Sequence, residues 1–349
     1  MNDTTASTST KPRRRLLRWV GAAFLVLVLA VGGWLVYLQS QLADVPRFDM
    51  DLDRQGRPPA VDSDSLNILL AGVDLNEGAD EGADLREMLE DGDWEPGAYR
   101  SDAILVLHLE EGGTGGQLVS IPRDSYVPVA GFGSTKINAA MSQGGPELLA
   151  RTVEDLTGVR LDHVAVVDFE GFRGLTELIG GVEVTIPETV HDSKTDKTWT
   201  AGTHTIEGED ALLYVRQRHG LPGGDFDRVQ RQQNFLRAFL ERATSRGVLA
   251  NPVTLTGFVR DLSELLAVDD ALTSGRMRAL ALGHRSLSSD ELRFLTVPHH
   301  GSAMIDGASV VRLDEQAVRD MFAAIAEDRF DRWAVENSVD ELPTDGEVR

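Results

Sequence analysis

Two long apolar runs limit this chain to one broad class of fold. NILLAGVD occupies residues 67–74 and DAILVLHL occupies residues 102–109, and neither run alternates regularly between apolar and polar residues. Strands of this composition are typically buried on both faces of a sheet. Shorter runs, several of them rich in β-branched residues, follow at 117–121, 163–169, 182–186 and 292–297. The sequence therefore predicts a sheet that other elements cover on both sides.

Helical patterns lie between the predicted strands. They span residues 146–158, 171–181 and 227–243, and further helices are predicted at 269–282 and 314–327. Gly158 follows the first of these helices as a C-cap. Strands that alternate with helices indicate an α/β layered domain. The acidic stretch 75–98 is predicted to be an inserted surface loop, and residues 328–349 an acidic, frayed tail.

A membrane span is predicted before this domain. Residues 19–38 are twenty residues without a charge, about the length a helix needs to cross a ~30 Å hydrocarbon layer. The basic cluster KPRRRLLR at 11–18 predicts that the N-terminus is cytoplasmic and that the body lies outside. A cleavable signal peptide is the alternative, but its apolar core is usually only ~7 to 15 residues long.

The predicted organisation has five parts. Residues 1–18 form a basic cytoplasmic tail, 19–38 a transmembrane helix and 39–65 an extracytoplasmic stem. Residues 66–327 form the predicted α/β domain, and the acidic tail at 328–349 follows. The chain has no cysteine, which excludes disulfides and thiolate zinc sites.

The net charge opposes a nucleic-acid partner. The chain has 34 basic and 56 acidic residues, a formal charge of −22. Five of the basic residues and one of the acidic ones lie within residues 1–18, so the rest carries −26. Binding to phosphate backbones requires a basic face. We therefore expect no nucleic-acid binding by the main body.

Two aspartates are candidate metal ligands. Asp74 ends one predicted strand and Asp102 begins the next, so their carboxylates converge if the strands are antiparallel neighbours. Mg²⁺ is typically held by one or two carboxylates together with waters and substrate phosphates. The alternative is that both aspartates only bind turn amides, which is common for this residue.

A set of cationic and amide side chains is the second candidate group. Several lie next to predicted strand or helix ends: Arg100, Arg123, Lys136, Arg216, Arg218, Arg228 and Gln232. An extended backbone would put Arg216 and Arg218 on one face. Gln232 lies in an apolar helical stripe, where its amide needs a partner. The alternative is a solvated arginine-rich surface, but arginines gathered in an acidic domain favour an anion site, and guanidinium groups match phosphate oxygens.

The motifs that carry these residues resemble, in order, those of the LytR-CpsA-Psr (LCP) family of bacterial envelope enzymes. They are NILLAGVD, RSDAILVL, SIPRD, KINAAMSQGG, VDFEGFRGLTELIGGVEV, ALLYVRQR and DFDRVQRQQ. The resemblance implies an α-β-α layered domain with a mixed central sheet. It also implies an enzyme that moves a glycopolymer from a polyprenyl-pyrophosphate carrier to peptidoglycan, with Mg²⁺, or Mn²⁺ as the alternative ion.

The resemblance also assigns roles to the candidate residues. Asp74 and Asp102 match the metal-site aspartates of the family, and the cationic set with Gln232 matches the groups that contact pyrophosphate. We assign catalysis to Arg123 and, as the nearest proton acceptor, to Asp102. An apolar pocket for the polyprenyl chain is expected along the helices at 146–158, 171–180 and 227–243.

Three other functions share part of this evidence. A lipid-pyrophosphate hydrolase would use the same cations with water as acceptor. A wall-binding module would need exposed aromatic platforms. The chain has 12 Phe, 5 Trp and 4 Tyr, and several of these lie in the predicted span or in apolar stripes, so few remain for such a surface. A transcriptional regulator is disfavoured because the acidic body has no helix-turn-helix signal.

Overall fold

The computed structural model describes residues 33–34, 36–50, 55–60, 63–76, 84–285 and 287–349. The predicted basic tail and most of the predicted span, residues 19–32 and 35, lie outside the described residues. Among the helices that are described, none is long and apolar enough to cross a membrane.

Strands and helices alternate along much of the chain. The strands are β1 (Arg47–Phe48), β2 (Leu66–Leu75), β3 (Tyr99–Leu109), β4 (Gly116–Ser120), β5 (Tyr126–Val129), β6 (Gly133–Lys136), β7 (His163–Asp168), β8 (Val182–Ile186), β9 (Val190–Asp192), β10 (Lys197–Trp199), β11 (Gly202–Ile206), β12 (Leu266–Asp269), β13 (Leu292–Thr296), β14 (His299–Ile305), β15 (Ala308–Leu313) and β16 (Asp340–Glu341). The helices are α1 (Leu85–Asp91), α2 (Asn138–Thr157), α3 (Phe169–Leu178), α4 (Gly208–Arg216), α5 (Asp225–Ala243), α6 (Arg246–Leu249), α7 (Pro252–Leu265), α8 (Ser274–Gly283), α9 (Glu315–Ala326) and α10 (Phe330–Glu336).

The central sheet has eight strands in the order β1-β12-β7-β2-β3-β4-β13-β16. The pairs β1/β12, β2/β7 and β4/β13 are parallel, and the other neighbours are antiparallel. The predicted α/β fold with a mixed central sheet is therefore confirmed. The two long apolar runs form β2 and β3, in the middle of the sheet where burial is greatest.

Helices cover both faces of this sheet. On one face lie α2 and α9, which share one apolar core with β2 and β3, and the side chains of Leu69, Val106 and Leu149 are completely buried there. On the other face lie α3, α4, α5, α7 and α8. Helix α2 begins earlier than predicted, at Asn138, and is kinked at Gly144; its predicted C-cap at Gly158 is confirmed.

Two predictions about local structure are wrong. Residues 182–186 form β8, but it pairs only with β11 in a separate two-stranded sheet. Its burial alternates, with Glu183 exposed and Val184 buried, which suits a ribbon covered on one side. Residues 75–98 are more than a loop, because Leu85, Met88 and Leu89 fall at helical spacing and are buried in α1.

The segments on either side of the predicted domain also pack into it. In the predicted stem, β1 joins the sheet through β12, and Phe48 is buried. In the predicted frayed tail, β16 pairs with β13, and Phe330 and Val348 are buried. The stem and the tail are polar overall, but each contains a few apolar residues that pack into the domain.

A buried ion pair ties the predicted stem to α2. Arg57 donates two hydrogen bonds to Glu154 Oε1, from Nε at 3.0 Å and Nη2 at 2.6 Å. Glu154 Oε1 also accepts from the backbone N–H of Leu161 at 3.0 Å. Both charged side chains are almost completely buried.

We expect Glu154→Ala to lower the free energy of unfolding by about 3–5 kcal/mol, because it removes a buried carboxylate that accepts hydrogen bonds from Arg57 and from the Leu161 backbone. Chemical denaturation would measure this. The neighbouring Asp155→Ala is the matched control, since Asp155 is exposed and its pair with Arg151 is 3.8 Å long. If both variants lowered the free energy of unfolding equally, the buried Arg57–Glu154 pair would not stabilise the protein as we infer.

Candidate functional site

The two candidate metal ligands lie at one end of the antiparallel pair β2/β3. Asp74 lies directly opposite Arg100, so their side chains share a face of the sheet. The register shifts between Gly72 and Val73, which leaves Asp102 as the extra residue of a β-bulge. Asp102 Oδ1 lies 3.4 Å from Arg100 Nε. Both carboxylates therefore lie around Arg100, as the predicted convergence requires.

Arg216 lies over the first carboxylate. Its Nη2 is 2.6 Å from Asp74 Oδ1, and its Cζ is 5.8 Å from the centre of the Phe169 ring. The ring fits against Gly72, where a Cβ atom would lie only 2.8 Å from Phe169 Cζ. A side chain at position 72 would push the ring away, so glycine is required for this arrangement of Arg216 over Asp74.

Arg216 and Arg218 do not lie together on an extended strand. Arg216 is the last residue of α4, because Ala211, Tyr214 and Val215 recur at helical spacing and are buried. Gln217 is buried between the two arginines, and Arg218 is exposed. Within the described part of the chain, no ion pair includes Arg218, whereas Arg216 pairs with Asp74. We call the charged side chains around the two carboxylates the charge cluster: Asp74, Arg100, Asp102, Arg123, Arg216 and Arg228.

Arg123 is held against the second carboxylate. It follows β4, and its Nη1 lies 2.5 Å from Asp102 Oδ1. Burial acts to lower the pKa of Arg123, but the charge and hydrogen bond of Asp102, helped by Asp124 and Asp225, raise it above its ordinary value. The next residue, Asp124, lies 2.9 Å from Lys136 Nζ.

Helix α5 brings Arg228 and Gln232 to the same region. Arg228 is almost completely buried, with Nη2 2.6 Å from Asp225 Oδ1. Burial lowers the pKa of Arg228, and the positive charge of Arg123 lowers it further against the opposing effect of Asp225. Gln232 donates from Nε2 to the carbonyl of Val215 at 3.2 Å, which supplies the partner that its amide needs.

Four of these arginines share an unusual feature. Their Nε atoms are buried and have no hydrogen-bond partner within the described residues; they belong to Arg100, Arg123, Arg216 and Arg228. A buried donor without a partner is costly, so such groups need an explanation. An anion with several oxygens placed among them would satisfy these donors. The cluster is therefore a candidate site for a phosphate-type anion.

The carboxylates of this cluster suit a divalent cation only in part. Within the described residues, no group of three or more His, Cys, Asp or Glu side chains is arranged to hold a metal ion. Asp74 and Asp102 offer the oxygen ligands that Mg²⁺ prefers, but two carboxylates leave most of an octahedral shell open. Both carboxylates are also engaged by arginines. Ligand oxygens from elsewhere would have to complete such a site.

Apolar side chains on the same face of the sheet are incompletely covered. Leu70, Leu105 and Leu107 lie on the central strands and are only half-buried, whereas Leu69 and Val106 on the opposite face are fully buried. Their apolar surroundings include half-buried residues of α3, α5, α7 and α8, namely Phe172, Leu236, Phe258, Leu262, Met277 and Leu280. We call this half-buried set the apolar face.

The helix at 146–158 does not contribute to this face, contrary to expectation. It belongs to α2, and Leu149 and Val153 are completely buried in the core on the other side of the sheet. Which side of a sheet a helix covers depends on the direction of its connections, which the apolar spacing of the helix itself does not encode. Helices α3 and α5 are on the expected side.

Arg231 and Gln217 support the site and were not identified from the sequence. Arg231 is 1% exposed; its Nη1 donates to Gln217 Oε1 at 2.6 Å and its Nε donates to the carbonyl of Arg349 at 2.6 Å. Gln217 is the residue between Arg216 and Arg218 in the chain, so a bond to its side chain helps to hold both arginines in place. The sequence does contain one signal for Arg231. It follows Arg228 by three residues, so the two arginines lie one helical turn apart on α5.

We expect Arg231→Lys to raise KM for a pyrophosphate-linked donor about tenfold, a loss of ~1.4 kcal/mol, with a smaller effect on kcat. Lysine keeps the charge but cannot bridge Gln217 and Arg349 with a planar fork. Steady-state kinetics would measure this. Arg293→Lys is the control, because Arg293 binds Asp331 and Glu341 of the tail without touching Gln217. If Arg231→Lys and Arg293→Lys had the same KM, Arg231 would not position the residues that bind the donor.

Known proteins share both the sequence and the fold. Residues 40–327 match the model of the LytR_cpsA_psr family. "Probable cell wall biosynthesis protein LcpB" of Corynebacterium glutamicum is 36% identical over 85% of this chain and 69% of its own length. A polyisoprenyl-teichoic acid–peptidoglycan teichoic acid transferase, TagU of Enterococcus faecalis, is 28% identical over 87% of this chain and 93% of its own length.

Solved structures show the same architecture. The crystal structure of TagV from Bacillus subtilis covers 76% of this chain and 97% of its own length, with a TM-score of 0.60 at 25% identity. The family match covers the segments from β1 to α9, which include every residue of the charge cluster. The ordered motifs, the mixed sheet and the length of the match lead to one conclusion: this chain belongs to the LytR_cpsA_psr family.

Proposed function

We propose that this protein is a phosphotransferase that moves a glycopolymer from a polyprenyl-pyrophosphate carrier to peptidoglycan. The reaction forms a phosphodiester and releases polyprenyl phosphate. The named activity of the related E. faecalis protein, transfer of teichoic acid from a polyisoprenyl carrier to peptidoglycan, supports this reaction class.

The observation that carries the proposal is the set of four buried arginine Nε atoms that make no hydrogen bond within the described residues. A pyrophosphate has several oxygens within a short distance, and guanidinium groups bind such oxygens in pairs. Arg100, Arg123, Arg216 and Arg228 would bind the pyrophosphate, with Lys136, Arg218 and Gln232 at its edge. The four arginines outnumber the three aspartates paired with them, Asp74, Asp102 and Asp225, so the site keeps a positive charge that an anion would neutralise.

Asp74 and Asp102 would hold Mg²⁺, with Mn²⁺ as the alternative, once pyrophosphate is bound. The ion would supply charge neutralisation at the phosphate oxygens. Pyrophosphate would draw Arg216 away from Asp74 and Arg123 away from Asp102, which frees both carboxylates as ligands. The two carboxylates and the pyrophosphate oxygens together would then provide the ligands that neither set offers alone.

Transfer would begin with attack of a peptidoglycan sugar hydroxyl on the phosphorus that carries the glycopolymer. A new P–O bond forms, the bond to the bridging oxygen breaks, and that oxygen leaves on polyprenyl phosphate. Asp102 is our candidate to accept the hydroxyl proton, and Arg123 would stabilise the charge that develops on the transferred phosphoryl group. Phosphoryl transfer depends mainly on such positioning and charge stabilisation.

The apolar face would receive the polyprenyl chain. Leu105 is half-buried opposite Leu70. We expect Leu105→Trp to raise KM for a long-chain donor about tenfold, or ~1.4 kcal/mol, because the indole fills the space beside these leucines. KM for a short-chain donor should stay unchanged. Val335→Trp, at an exposed position on α10, is the control. If Leu105→Trp raised KM equally for both donors, the polyprenyl chain would not bind at the apolar face.

We also propose that residues 19–38 anchor the protein in the bacterial cell membrane as a single span, with residues 1–18 in the cytoplasm and the domain outside. The charge difference between the two sides supports this orientation. Protease added to intact spheroplasts should therefore degrade the domain. Full protection of the domain would refute this topology.

The decisive test incubates the full chain with a polyprenyl-pyrophosphate-linked saccharide, with and without peptidoglycan fragments. We expect polyprenyl phosphate to appear together with a new sugar phosphodiester, and only when the fragments are present. Arg123→Ala is the inactive control. Release of polyprenyl phosphate without an acceptor would identify a hydrolase instead, and binding of fragments without turnover would identify a wall-binding module.

A further inference from the structure

Exposed apolar side chains are concentrated in one region of the molecule. Eight large apolar residues are exposed among the described residues, and five of them lie on the helical segment 36–43 or on α6, α7 and α8. These five are Val36, Tyr37, Leu249, Val253 and Leu282. Val253 is 81% and Val36 70% exposed, far more than core side chains. Single exposed apolar residues are ordinary, but a concentration of them marks an interaction surface.

Two hydrogen bonds bring these elements together. Trp34 donates from Nε1 to Thr256 Oγ1 on α7 at 2.7 Å, and Arg278 on α8 donates from Nη1 to Gln39 Oε1 at 3.1 Å. Trp34 lies within the uncharged run 19–38. Val253 is one helical turn before Thr256, towards the start of α7. The start of α7 therefore lies beside the last residues of the predicted span.

The charge of the same region is opposite to that of the body. Residues 242–260 and 271–289 contain six arginines and no Asp or Glu, in a body that carries −26. Three of these arginines, Arg276, Arg278 and Arg285, are exposed on or directly after α8, and α8 has no buried residue. Four acidic residues lie between these stretches, Asp261, Glu264, Asp269 and Asp270, so residues 242–289 as a whole carry +2. Asp261 pairs with Arg260 at 2.7 Å. Exposed arginines beside apolar side chains favour an anionic lipid surface.

We propose that α6, the start of α7 and α8 form a second membrane contact, in which Val253 and its apolar neighbours enter the surface of an anionic bilayer. Met277 and Leu280 of α8 pack near Leu70 at the apolar face. Docking of this region would therefore place one end of the apolar face against the lipid that supplies a polyprenyl chain. The inference rests on the proposed membrane anchor, which brings Trp34 to the bilayer surface.

The absence of cysteine permits a direct test with single-cysteine variants of the full chain. Val253→Cys, labelled with an environment-sensitive fluorophore, would be reconstituted in nanodiscs of phosphatidylglycerol and phosphatidylcholine that contain nitroxide-labelled lipid. Val335→Cys is the matched control, because Val335 is equally exposed but lies on α10. Leu27→Cys reports on the predicted span. Val253 is 81% exposed, so we expect the substitution to leave the fold intact.

We expect the lipid nitroxide to quench the probes at positions 253 and 27 and to leave the probe at 335 bright. A double change, Arg276→Glu with Arg278→Glu, should reduce quenching at 253 in anionic discs and have no effect at 27. A bright probe at 253 beside a quenched probe at 27 would overturn the docking surface and leave the anchor standing. A bright probe at 27 would refute the anchor, and a bright probe at 253 would then refute both.

Discussion

Replacing Arg123 with alanine is expected to lower kcat about 10³-fold, the largest loss from any single arginine of the cluster. Arg123 contacts Asp102 through Nη1, while its buried Nε has no partner within the described residues. Its backbone is also fixed, because the carbonyl of Arg123 accepts from the N–H of Asn138 at 3.2 Å. A rigid donor directed at a transferred phosphoryl group acts more strongly in the transition state than in the ground state.

Steady-state kinetics on a lipid-pyrophosphate donor would measure this effect. Arg123→Lys should recover only a small part of kcat, because lysine keeps the charge but loses the planar fork. Arg216→Lys and Arg218→Lys should mainly raise KM, and Arg319→Ala, at an exposed residue of α9, should change neither constant. A near-normal kcat for Arg123→Lys with a raised KM would change the role of Arg123 from catalysis to anchoring.

The second large effect is expected at the carboxylates. Asp74→Asn or Asp102→Asn should abolish metal-dependent turnover, because each change removes one of the two carboxylates available to the ion. The substitution also removes the counter-charge of an arginine: Asp74 is 2.6 Å from Arg216, and Asp102 contacts Arg123. Asparagine keeps the size of the side chain, so the loss should reflect charge rather than a cavity.

Calorimetry provides a readout that does not depend on turnover. The unchanged protein should bind inorganic pyrophosphate at least about tenfold more tightly with Mg²⁺ than in the presence of a chelator, a coupling of ~1.4 kcal/mol. Either asparagine variant should lose this difference, and Asp320→Asn, at an exposed position, should keep it. Equal affinity with and without Mg²⁺ in the unchanged protein would show that the aspartates do not form a metal site with pyrophosphate.

The position of the charge cluster shows how far sequence reasoning extends. Asp74 and Asp102 were identified as converging residues because strand ends are visible as the ends of apolar runs. The contact of Arg216 with Asp74 was not visible, since it depends on Phe169 packing against Gly72. Arg231 was missed for a similar reason, because its partners are 14 and 118 residues away along the chain.

The sequence by itself determined the α/β class, the central strands, most helices and the family, because these depend on local periodicity and on the order of motifs. Only the tertiary structure decided that β8 leaves the central sheet, that 146–158 packs away from the apolar face and that Arg216 ends a helix. It also decided that the tail packs through Val348. These outcomes depend on which distant segments compete for the same surface, and the pattern within one segment cannot specify that competition.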